Sequence, residues 1–344
     1  MTTKTLGAAA AIFIASVCWN GSANTSSAAS PADGGRASMA DPHSVLGDET
    51  CVKCHASEVQ VWSQTPHSRT FEELHRRPEA KTIASKLGLK SIKNEGRCVA
   101  CHYTQKAEAG ANRHVIAGVS CESCHGAAKG WLDIHHNYGG DGISRMTETP
   151  EHRVERIAKS VAAGMRNPRN VYSVAQSCLR CHTTADEELV NVGGHTPGSL
   201  EFEFVSWSQG MVRHNFVRTG GKSNDASSPE RIRVMFVAGM VAELEASLRA
   251  TAKATQKATY GVTAAKRAAR AGARIKSVAQ KVDSPTLDKI VSVYESITLK
   301  LNNSDQLTTA ADQVAAMGFE FANSADGSTL GALDSFVPKS DSYK

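Results

Sequence analysis

In the second half of the chain, apolar positions recur every three or four residues. Val237, Val241, Leu244 and Leu248 follow Ser228-Pro229-Glu230, while Leu287, Ile290, Val291, Tyr294 and Ile297 follow Ser284-Pro285. That period lays one apolar stripe along each of two helices. Serine followed by proline marks both starts, since the hydroxyl caps a free amide and proline has none to leave unpaired. A further helix is expected from Asn303 to about Phe321, and the long Ala/Lys/Arg segment between the first two should break near Tyr260-Gly261. Three or four helices without Cys or His predict a bundle over residues 228–322, followed by a loosely ordered tail at 323–344. Upstream, TPEHRVERIAKSVAAG predicts a helix with Thr149 as N-cap, Pro150 at its first position and Gly164 past its end.

The opening of the chain has another texture. Lys4 is the only charge in residues 1–23, Leu6 to Cys18 is an apolar run, and Gly21-Ser22-Ala23 offers a small-x-small cleavage site. This pattern predicts a secretory signal peptide, because the run is too short to span a bilayer. Val17 argues against a lipoprotein signal at Cys18, and no other stretch suits a membrane helix. Residues 24–46, rich in Ser, Ala, Gly and Asp, read as a flexible linker. An exported, periplasmic location is therefore expected.

The chain has 344 residues, 41% hydrophobic and 21% charged, enough for one sizeable core or two ordinary ones. Of nine cysteines, Cys18 falls in the signal segment. In an exported protein the other eight would ordinarily suggest disulfides. Their spacing suggests something else. They form four copies of C-x-x-C-H: CVKCH (51–55), CVACH (98–102), CESCH (121–125) and CLRCH (178–182).

C-x-x-C-H is the attachment sequence of c-type haem. Two thiols at this spacing add to the vinyl groups on one porphyrin edge, and the adjacent histidine is carried beneath the ring to ligate iron. Zinc ribbons also use C-x-x-C pairs but need no histidine after the second cysteine. With 13 histidines in the chain, four such coincidences have a chance of roughly 2 × 10⁻⁶. A thioredoxin-type site fails on the same ground. Four covalent haem c groups are expected, on Cys51 and Cys54, Cys98 and Cys101, Cys121 and Cys124, and Cys178 and Cys181, with His55, His102, His125 and His182 as proximal ligands.

Candidates for the sixth iron position are His67 in VWSQTPHSRTF, His135 or His136 after the third motif, His195 in NVGGHTPG and His214 in WSQGMVRHNF. His43, His75, His114 and His152 are expected to be surface or capping residues.

CVKCHASEVQVWSQTPH, GRCVACH, GVSCESCHGAAKGWLDIHH and SCLRCH, in that order, resemble the tetrahaem cytochrome c-554 family over about residues 47–218. The resemblance implies a mostly helical fold with closely stacked haem pairs. It assigns His67 to the haem of motif four, His135 to that of motif one and His214 to that of motif three. The motif-two haem of the family's type protein is five-coordinate. This sequence departs there, because His195 is a candidate fourth distal ligand with no counterpart in the type protein. Spacing favours His135 over His136, since HHNYG then aligns without a gap.

The fold class expected is thus mainly α: a helical, loop-rich tetrahaem domain over 47–220 and a C-terminal helical bundle. The expected function is one-electron relay between an exported oxidoreductase, hydroxylamine oxidoreductase-like by resemblance, and a downstream acceptor. Such a protein is an electron carrier rather than an enzyme, its irons closed by bis-histidine ligation. The rival reading is a small nitrogen-oxide reductase working at a five-coordinate motif-two haem. Residues 246–282 contain nine Lys/Arg and no Asp/Glu. They read as a solvated face, a docking surface for an acidic redox partner, or a layer against the haem carboxylates. Nucleic-acid binding is disfavoured by the absence of any such motif.

Overall fold

The structure, a computed structural model, describes residues 1, 39–94, 96–110 and 112–344. The expected signal peptide beyond Met1, and the linker up to residue 38, lie outside the described residues. The chain is mainly α, as its periodicity predicts.

Local signals set the helix starts. Thr149 accepts a hydrogen bond from the His152 amide at the head of Pro150–Ala162. Ser228 caps Pro229–Ala252 and Ser284 caps Pro285–Glu295 in the same way, each before a proline at the first position. Asn170 accepts from Tyr172 and Ser173 to begin Val171–His182, the helix that ends on the fourth motif.

The helix Pro229–Ala252 is buried around nearly its whole circumference from Val234 onward. A helix apolar on all sides belongs in the middle of a core. It packs against Thr259–Ala279, Ser304–Ser324 and Val171–His182, so the motif-four helix shares one apolar cluster with the C-terminal helices. Close approach needs small residues. A Cβ on Gly318 would lie 2.3 Å from Cε2 of Tyr172, and one on Gly239 would lie 2.6 Å from the Phe204 Cβ. The buried Tyr172 hydroxyl donates to Glu245 at 2.5 Å, and Gln176 and Arg249 complete that carboxylate at 2.7 and 2.9 Å.

Three features differ from the sequence expectation. The break after the long helix falls at residues 253–258, with Tyr260-Gly261 inside the next helix. Glu187 fixes the break by accepting from the amides of Thr255 (3.0 Å) and Gln256 (3.1 Å). The segment 323–344, expected to be loose, buries Leu330 and Leu333. Its last residue, Lys344, bonds through its main chain to Ser206 and Met211. A short antiparallel hairpin, Thr104–Lys106 with His114–Ala117, was not foreseen.

Residues 39–170 are built differently, from short helices and loops. Only nine apolar side chains are buried among the described residues there, between Val45 and Trp131. That is thin for a stretch of this length.

Gly318→Leu should lower the melting temperature, because overpacking against Tyr172 costs about 1–3 kcal/mol. Gly331→Ala, where an added Cβ meets open space, should leave it unchanged. Thermal unfolding followed by circular dichroism checks both.

Candidate haem-iron sites

Each C-x-x-C-H lies on or beside one helical turn. Cys51 closes the helix Asp48–Cys51, and His55 sits just before Ala56–Ser63. The other three motifs end the helix Gly96–His102, fill Cys121–His125, and end Val171–His182. In a helix, positions i, i+3 and i+4 share one face, so both thiols and the imidazole point the same way.

Opposite each motif histidine stands one histidine from elsewhere in the chain. His55 faces His135 with ring centroids 6.5 Å apart, and His67 faces His182 at 6.2 Å. His102 faces His195, and His125 faces His214, both at 6.1 Å. Metal–imidazole bonds of about 2 Å, with the ligating nitrogen roughly 1.1 Å from its ring centre, put two opposed rings about 6.3 Å apart. His136 lies 5.2 Å from His135, and the ring toward His55 is that of His135.

The second ring nitrogen decides which atom is left for a metal. Nδ1 of His182 faces Ser199 Oγ at 2.8 Å, and that of His195 donates to the Thr196 carbonyl at 2.8 Å. Nδ1 of His214 donates to Val212 O at 2.6 Å and that of His125 to Arg166 O at 3.3 Å; that of His135 donates to Leu132 O. His55 Nδ1 lies 3.7 Å from Glu58. Nε2 of each is the nitrogen left for a metal. Burial, the largest cause in each case, pushes His102, His125 and His182 down to about 4, and it also lowers His67 and His135. Imidazoles held neutral at ordinary pH are the form that ligates metal.

The sites adjoin one another. The thiols of Cys51 and Cys121 are close enough to act on each other, as are those of Cys101 and Cys181, while Cys124 lies beside Cys178 and Cys181. Motif one therefore abuts three, three abuts four, and four abuts two. Among the described residues, no group of three or more His, Cys, Asp or Glu is arranged to hold a metal ion as a zinc cage would.

Several positioning groups have no signature in the sequence. Glu122, inside CESCH, is 1% exposed. Its carboxylate accepts from the amides of Leu46 (3.0 Å), Gly47 (2.8 Å) and Ala128 (2.7 Å), tying motif three to the run-in of motif one. Arg156 donates to the His135 carbonyl while forked onto Glu148 with two contacts of 2.6 Å. The His67 carbonyl accepts from Val119, and Trp62 Nε1 donates to Val119 O at 2.8 Å. His152, at 2.8 Å from Glu148, is part of that surface network.

These residues fit haem: paired thiols beside a histidine, a second imidazole at iron-bridging distance, and a half-chain that buries few apolar side chains of its own. The arrangement is that of a c-type cytochrome, in which haem is held covalently. A family model described as cytochrome c554 and c-prime matches residues 50–126. Cytochrome c-554 of Nitrosomonas europaea is 30% identical over 100 residues, covering 27% of this chain and 43% of that protein. The match thus spans less than half of that relative. The matched segment is similar to the cytochrome c-554 family. No solved structure matches it.

Glu122→Ala would leave three amides without their acceptor, at a cost of about 1–3 kcal/mol. Its melting temperature should fall further than that of Glu122→Gln, which keeps one acceptor oxygen. Differential scanning calorimetry of the two variants checks this.

Proposed function

We propose that the chain carries four haem c groups and works as an exported one-electron carrier. Thioether attachment falls to Cys51 and Cys54, Cys98 and Cys101, Cys121 and Cys124, and Cys178 and Cys181. The pairs His55–His135, His102–His195, His125–His214 and His182–His67 would hold the irons. Haem held by two imidazoles would supply one-electron exchange rather than a site for substrate. The protein's residues hold each ring in place, and burial favours the neutral form of His67, His102, His125, His135 and His182.

The observation that carries this reading is the His102–His195 pair. A reductase at motif two needs one face of that site open, and His195 stands on it at the same spacing as the other three pairs. The donor would be an exported oxidoreductase, hydroxylamine oxidoreductase-like by family resemblance, and the acceptor a downstream redox protein. No helix among the described residues is long and apolar enough to cross a membrane. Residues 1–23 would direct export, residues 47–220 would form the haem domain, and 228–322 its helical support.

Intact mass of the mature protein should exceed that of the polypeptide by four haems, and Cys101→Ala should weaken or abolish attachment of one. Carbon monoxide added to the fully reduced wild type should leave the spectrum unchanged. His195→Ala should gain a carbon monoxide adduct amounting to one haem in four. An adduct in the wild type, unaltered by that substitution, would favour the reductase.

A further inference from the structure

Of the nine cations in the basic run 246–282, Arg267 is buried, Arg249 and Arg274 are half-buried, and the other six are exposed. Arg249 pairs with Glu245 at 2.9 Å and Asp312 at 2.7 Å, Lys276 with Glu295 at 2.5 Å, and Lys253 donates to the Ala185 carbonyl at 3.2 Å. Arg267, Arg270 and Arg274 converge on Glu243 at 3.1, 3.3 and 3.2 Å. The side chains of Arg267 and Glu243 are 3% and 5% exposed, so solvent screens them little.

Arg267 is locked in place. Its Nη1 donates to the carbonyl of His182 at 2.8 Å. It also lines a cavity of about 10 Å³ with Thr183, Ser247 and Tyr260, about the space of one water. Three guanidinium groups against one carboxylate leave two net positive charges behind the histidine of motif four. Asp186 and Glu188, a few residues further along the chain, are taken up by Arg97 at 2.9 and 2.8 Å. Motif one has the opposite surroundings: Asp48, Glu49 and Glu122 act on Cys51, and Glu58 lies beside His55.

We infer that Arg267, fixed by Glu243 and reinforced by Arg270 and Arg274, raises the reduction potential of the centre built on His182 above that of the centre built on His55. The inference rests on the proposed attachment of haem at both motifs. An iron that takes up one electron loses one positive charge, so a fixed neighbouring cation disfavours the oxidised form. Within the protein the electron then settles at motif four, with the motif-one centre oxidised and the motif-four centre reduced.

Spectroelectrochemical titration of the holoprotein tests this once the mass of the peptide bearing Cys178 and Cys181 has established haem there. His67→Ala, which alters only the motif-four pair, identifies the relevant midpoint. Arg267→Met should move that midpoint down, Glu243→Gln should move it up, and Arg267→Lys should hold it near the wild-type value. Should Arg267→Met fail to fold, Arg274→Gln, at a position 35% exposed, should move the same midpoint down by less. Midpoints unmoved in these variants, shifts of one sign for both charge changes, or a motif-four midpoint below that of motif one would overturn the inference. Wild-type protein without haem at Cys178 and Cys181 would overturn the reading beneath it instead.

Discussion

Four pairs of imidazole rings, each 6.1–6.5 Å apart, determine how residues 47–220 must run. The members of a pair are far apart in sequence, so every pair closes a long loop. His67 reaches forward to His182, and His135 back to His55. Ordering residues 39–170 costs conformational entropy that the nine apolar side chains buried there would hardly offset. Tying them by metal ligation and thioether bonds to rigid, apolar ring systems, as proposed above, would be a physically sufficient solution. It would explain how short helices and exposed loops hold one geometry.

The fold and the candidate site were legible to different depths. Helix starts at Pro150, Pro229 and Pro285 were readable because a cap and a proline are neighbours in the chain. The break after the long helix was not, since Glu187 fixes it from almost seventy residues away, and Gly261 is tolerated inside a helix packed against Ala254 and Leu301. The tail was misread for a related reason: Lys344 is held by Ser206 and Met211, which no local pattern reveals. At the site, C-x-x-C-H is visible because its spacing is itself the chemistry. Glu122, Arg156 and Arg267 are invisible because each acts through a main-chain group distant in sequence.

The basic segment shows what a charge count leaves out. Within 246–282 there is no acidic residue, yet the partners stand just outside the window, at Glu243, Glu245, Glu295 and Asp312. In three dimensions six of its nine cations stay exposed, while its four arginines enter a lattice of ion pairs. It joins the long helix to its neighbours and to the end of motif four.

Of the described cysteines Cys54 is exposed, while the remaining seven are partly covered. For a protein matured by haem attachment, this orders events in its biogenesis. A ligating enzyme needs both thiols and the neighbouring histidine of a motif in its grasp, and the folded chain presents at most the first motif that way. On the proposed reading, attachment at motifs two, three and four would therefore come before closure, with the polypeptide still extended. The cofactors would then act as templates around which the chain condenses, and maturation would become the step that commits it to its fold.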